Sequence, residues 1–98
     1  MKVIINSVHF KTDRKLEDFL TNKVEKLGNK YDDIISSEIN LKLGNTDTPM
    51  NKITEIRISL KGNDLFASKQ NKTFEEAADA ALDALKRQLE KHKSRLNH

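Results

Sequence analysis

Ile53-Thr54-Glu55-Ile56-Arg57-Ile58-Ser59-Leu60-Lys61-Gly62-Asn63-Asp64-Leu65-Phe66-Ala67-Ser68-Lys69 is the stretch on which the fold turns. Residues 53–61 alternate, with Ile56, Ile58 and Leu60 on one side and Glu55, Arg57, Ser59 and Lys61 on the other. Side chains of a strand point to opposite faces in turn, so this is a strand with one face on a core and one in water. Gly62-Asn63-Asp64 reads as a tight turn, and Leu65 to Lys69 as a short strand that pairs back. A hairpin with one wet face belongs to a sheet covered on a single side.

Upstream, residues 35–43 alternate in the same way, with Ile39, Leu41 and Leu43 on one face, and residues 44–49 form a loop rich in turn residues. Before them, Leu16, Phe19, Leu20, Val24 and Leu27 recur at helical spacing. Asp13 offers an N-cap to that helix and Gly28 a C′ residue that ends it. Residues 2–7, with β-branched Val3, Ile4 and Ile5, predict a first strand.

Downstream, Thr73-Phe74-Glu75-Glu76 has the form of a capping box. The helix it opens carries Phe74, Ala77, Ala78, Ala81, Leu82, Leu85, Leu89, His92 and Leu96 on one stripe. Through Leu96 it would be roughly 36 Å long, at 1.5 Å per residue. A strand of about eight residues spans only about 27 Å, so the last turns are expected to project past the sheet.

The order is therefore β-α-β-β-β-α, an α+β domain with one four-stranded mixed sheet and two helices packed on one face. A crossover makes the first two strands parallel, and two hairpins reverse the direction twice. Both helices then run the same way, and their C-terminal ends meet at one edge of the domain.

Charge falls at that edge. From Lys86 onward there are five cations (Lys86, Arg87, Lys91, Lys93, Arg95) and one acid, Glu90, whereas the preceding residues carry slightly more acids than bases. Arg87, Lys91 and Arg95 form a stripe at i, i+4 and i+8, with Lys86 and Lys93 on the other flank. Lys23, Lys26 and Lys30 sit in the second half of the first helix. Like charges at i, i+4 cost a lone helix about 0.2–0.5 kcal/mol per pair, a cost that phosphates against the stripe remove. Cations at a helix C-terminus also complement its dipole, but five in ten residues, matched by a second set, exceed what a dipole needs. A polyanionic partner is expected. His92 reads either as a boundary histidine or as a ring placed beside that partner. Lys23 either snorkels over the core or lifts its head into the groove between the helices.

Other classes are disfavoured. No apolar run approaches the roughly 20 residues a membrane span needs, and the apolar start breaks at Asn6, too soon for a signal peptide. Cysteine is absent, which fits a reducing cytosol. No phosphate loop, nucleophile elbow or metal motif is present; His9, His92 and His98 are far apart. Glu75, Glu76, Asp79 and Asp83 follow an N-cap, where acids are structural. No enzyme activity, cofactor or metal is expected.

Arg87-Gln88-Leu89-Glu90-Lys91-His92-Lys93-Ser94-Arg95-Leu96 resembles the end of the short ribosome hibernation-promoting factors, whose pattern there is R-Q-L-x-K-H-K-x-[KR]-L. That bacterial family also includes ribosome-associated inhibitor A and the sigma-54 modulation proteins. The similarity continues through Leu16, Phe19, Lys23, Lys26 and Leu27, then Tyr31 and Ile34, Asp64 to Ala67 and Phe74 to Ala81, and weakens around residues 44–53. The resemblance implies the same β-α-β-β-β-α fold. It further implies occupation of the small ribosomal subunit between head and body, on 16S rRNA, blocking the mRNA channel and the A and P tRNA sites. Translation stops and idle ribosomes are preserved, usually in stationary phase.

Carried over residue by residue, Lys23, Lys26, Arg87, Lys91, His92, Lys93 and Arg95 are the expected rRNA contacts. Lys30 and Lys86 join them from the charge argument alone. The chain ends within two residues of the basic helix, so one ribosome-binding domain is expected. Neither the second domain that pairs ribosomes in long members nor the C-terminal tail of inhibitor A is expected. The short factor that promotes ribosome dimers is the nearest subtype, cytoplasmic and a monomer off the ribosome. The rivals are a generic double-stranded RNA-binding domain, which would want lysines at the acidic start of the last helix, and a protein-interaction module using the open sheet face.

Overall fold

The computed structural model describes residues 1–44 and 47–96, with side chains through Lys93 in the last helix. The elements are β1 (Lys2–Ser7), α1 (Arg14–Lys30), β2 (Ile34–Leu43), β3 (Lys52–Leu60), β4 (Asn63–Asn71) and α2 (Phe74–Leu96). One sheet has the order β1-β2-β3-β4. β1 and β2 are parallel, and the two following pairs are antiparallel.

Ile39, Leu41, Ile56 and Ile58 are fully buried on the covered face, as the alternation requires. Against them pack Leu20, Val24 and Leu27 of α1 and Leu82, Leu85 and Leu89 of α2. Ala77, Ala78 and Ala81 are also fully buried, and their small side chains let α2 lie close over β3 and β4. Cutting Leu85 to alanine would leave a cavity and cost about 2–5 kcal/mol. The buried hydroxyl of Thr54 donates to the Phe74 carbonyl at 3.1 Å, which pins the start of α2 to the sheet. Phe10 stacks on Phe74 with ring centroids 5.1 Å apart, closing the same end.

Both helices begin on the caps that their sequences announce. The Leu16 N–H donates to Asp13 Oδ1 at 2.7 Å, and the Glu76 N–H donates to Thr73 Oγ1 at 3.0 Å. Each bond satisfies an orphan donor of a first turn.

Four expectations need correction. Gly28 does not end α1: the helix continues to Lys30, and the Tyr31 N–H still reaches the Leu27 carbonyl at 3.1 Å. A Cβ at Gly28 would stand 2.9 Å from Met1 Cε, so the glycine makes room for Met1 rather than reversing the chain. Leu43 is 51% exposed, because it sits opposite Lys52 at the hairpin end, away from the helices. The β3–β4 turn is tighter than read: Gly62 takes φ 79°, Asn63 pairs with Leu60, and β4 has nine residues. The strands are also longer than eight residues, ten in β2 and nine in β3. At about 3.3 Å per residue β2 nearly equals α2 in length, so the difference in length on which the projecting turns were expected is small. Part of the 44–49 loop, Asn45 and Thr46, lies outside the described residues.

Candidate nucleic-acid interface

Three contacts give the relative direction of the helices. Lys23 Nζ is 3.4 Å from Asp79 Oδ1; Tyr31 Oη donates to Glu90 Oε1; His92 Nε2 is 3.6 Å from Asp33 Oδ2. Positions 23, 31 and 33 thus meet 79, 90 and 92, rising together along the chain. The helices are parallel, and their C-terminal turns lie side by side.

This places the expected contact residues as follows. Lys23, Lys26 and Lys30 of α1 and Lys86 of α2 line one groove of about 520 Å³, floored by Leu27 and Leu82 and flanked by Asp79 and Asp83. Next to it, Lys30, Lys86, Arg87 and Lys91 ring a hollow of about 410 Å³ around Tyr31 and Glu90. Lys30, His92 and Lys93 border a third, of about 260 Å³, over Leu89 and the Asp32-Asp33 turn. Lys30 belongs to all three and Lys86 to two, so the two lysines taken from charge alone stand at the centre. The Arg95 side chain lies outside those described.

One open reading closes. Lys23 lifts its head into the groove: Nζ sits 5.4 Å from the Phe19 ring centroid as well as beside Asp79. His92 keeps its side chain 20% exposed, turned to Asp33 and lining the same hollow as Lys30 and Lys93.

Among the described residues, none of Lys26, Lys30, Lys86, Arg87, Lys91 and Lys93 forms an ion pair. All six are exposed. Like charges gathered this way raise the energy of the free protein and attract polyanions. Tyr31 is buried beneath Lys30, whose Nζ is 5.5 Å from its ring centroid. The hydrogen bond to the Glu90 carboxylate, with burial and the Glu90 charge, pushes the Tyr31 hydroxyl up to about 12. It therefore stays protonated and donating at neutral pH.

Sequence reading passed over Asp79, Asp83, Tyr31, Glu90 and Asp33. The aspartates looked like N-terminal helix acids, yet the groove runs far enough along α2 to include them. Tyr31 and Glu90 are 59 positions apart; the parallel helices implied some such contact, but its register depends on how the helices pack. No group of three or more His, Cys, Asp or Glu gathers to hold a metal ion among the described residues. None of their helices is long and apolar enough to cross a membrane.

Comparison with known proteins agrees with this architecture. The chain is similar to a ribosome hibernation promoting factor of Pseudomonas putida, 25% identical over 95 residues, covering 97% of this chain and 89% of the relative. The corresponding Klebsiella oxytoca factor is 32% identical over 81 residues, covering 83% and 81%. In three dimensions it resembles a ribosomal subunit interface protein from Coxiella burnetii, with a TM-score of 0.84 at 18% identity, covering 96% of this chain and 99% of that one. The N-terminal domain of Thermus thermophilus Protein Y gives 0.79 at 18% identity, over 94% and 99%. Residues 3–97 match the family profile described as Sigma 54 modulation protein / S30EA ribosomal protein. With that match over nearly its whole length, the chain belongs to the Sigma 54 modulation protein / S30EA ribosomal protein family.

Proposed function

We propose that this protein is a ribosome hibernation factor. It binds the small ribosomal subunit between head and body, lays its cationic end on 16S rRNA, and obstructs the mRNA channel and the A and P tRNA sites. Idle ribosomes are thereby kept from translating and preserved. The observation that carries the reading is the gathering, from two parallel helices, of six cations that form no ion pair among the described residues. The names of the P. putida and K. oxytoca relatives support it.

Within this reading Lys23, Lys26, Lys30, Lys86, Arg87, Lys91, Lys93 and Arg95 meet phosphates, and His92 contacts the rRNA beside them. The chemistry is binding alone. The protein acts in the cytoplasm, where ribosomes are, as one ribosome-binding unit and as a monomer before it docks.

Sucrose-gradient co-sedimentation with small subunits across a salt series tests the proposal. Binding is expected to weaken with a log–log slope of about −0.7 to −0.9 per phosphate contact. Replacing Arg87, Lys91 and Arg95 together by alanine leaves the fold intact and abolishes co-sedimentation. Salt-insensitive binding, no binding by the parent protein, or full binding by the triple variant would each sink the reading.

A further inference from the structure

We propose that Phe66 and Arg57, on the face of the sheet that the helices leave open, form a platform on which an unpaired nucleobase of the ribosomal RNA stacks. The inference rests on the small-subunit reading above and adds a second kind of contact to it.

Phe66 is the aromatic that the fold does not use. Phe10 and Phe74 stack on each other, Tyr31 is buried, and Phe19 packs against the core. Phe66 stands 44% exposed on the open face, while Leu65 and Ala67, on either side in sequence, supply the packing of β4 on the covered face.

Arg57 lies directly opposite Phe66 in the β3–β4 register, its guanidinium carbon 5.3 Å from the ring centroid. The same guanidinium is 3.9 Å from Asp64. Arg57 lies over one face of the ring, and a guanidinium stacked on an aromatic presents the kind of π surface on which single-stranded bases stack.

The platform adjoins the cationic helix. Gln88, between Arg87 and Leu89, reaches across the sheet edge, and its Nε2 donates to the Phe66 carbonyl at 3.0 Å. An RNA strand following α2 therefore meets Phe66 at the edge of β4. Two of the acids on this face are held by cations, Glu55 by Lys42 at 2.9 Å and Asp64 by Arg57 at 3.9 Å. A protein partner fits less well. The other exposed apolar residue in that register row, Ile4, is separated from Phe66 by Glu38 and Arg57. At about 4.8 Å per strand the two are some 14 Å apart and make no continuous apolar patch.

The test uses purified small subunits and three variants. With Phe66 replaced by the photoreactive analogue p-benzoylphenylalanine, irradiation of the complex is expected to cross-link the protein to rRNA. Phe66→Leu is expected to weaken binding about 5- to 150-fold, the range for losing one stacked base, while Phe66→Tyr retains it. Thermal unfolding of the leucine variant should match the parent, since the ring is not in the core. A cross-link to a ribosomal protein, no cross-link, or parental binding by Phe66→Leu would overturn the platform while leaving the cationic site in place, provided the Arg87, Lys91, Arg95 variant still loses binding. Absence of binding by the parent protein would remove both.

Discussion

Tyr31 Oη donates a hydrogen bond to the carboxylate of Glu90, 59 residues further along the chain, and so ties the end of α1 to the last turns of α2. The bond joins the elements that carry the two cationic sets, and it turns the acid of the basic segment into a structural acceptor. Everything proposed for the cationic end depends on the two helices holding this spacing.

The bond makes stability depend on alkaline pH. The folded protein holds the Tyr31 proton up to about 12 against an ordinary 10, so it binds that proton more tightly than the unfolded chain does. The contribution is complete below pH 10 and is lost as pH rises toward 12. Tyr31→Phe is expected to lose about 1 kcal/mol at neutral pH, which lowers Tm by about 4–8 °C. Across the alkaline window its stability should fall less steeply than the parent's. Tyr31 is the single tyrosine of the chain, so an absorbance titration of the phenol reads this site directly. An ordinary tyrosine titration would contradict the argument.

Gly28 lies inside α1, where glycine costs about 1 kcal/mol relative to alanine. A Cβ there meets only the far end of the Met1 side chain, 2.9 Å from Cε and 3.1 Å from Sδ. That side chain is flexible and half exposed, so it can swing away. Gly28→Ala is expected to stabilise the protein by about 0.5–1 kcal/mol in a denaturant melt. A loss of stability would mean that Met1 is fixed against the helix.

The Lys23–Asp79 pair splits the groove into a cation and its restraint. Side chains of both are largely exposed, 40% and 54%, and such a pair contributes at most about 1 kcal/mol. Asp79→Asn leaves the fold as it is and tightens small-subunit binding by up to about fivefold at low salt. Lys23→Ala weakens binding and reduces the magnitude of the salt slope by about 0.7–0.9, one phosphate contact. Equal affinities for the two variants would place the RNA away from this groove.

Much of this was legible before any coordinates. The period-two runs around Ile39 and Ile56, the caps at Asp13 and Thr73, and the apolar stripe from Phe74 to Leu89 each reflect local rules with strong periodic signals. Gly28 misled because a glycine after an apolar run can serve a C′ turn or a close contact, and only the position of Met1 decides between them. Phe66 was invisible as a site because a strand residue beside a turn carries no mark of whether its face will be covered.

The order of elements, their amphipathic faces and the basic character of the last helix are properties of neighbouring residues, and the chain specifies them by itself. Which cations share a groove is a different matter. Lys30 meets Lys86, Asp79 turns to Lys23 and Gln88 reaches the Phe66 carbonyl only because two parallel helices settle on one sheet at a particular spacing. That spacing depends on how Leu27, Ala78, Leu82 and Leu85 pack within one buried core. Close packing of residues distant in sequence is a three-dimensional constraint that no local pattern contains.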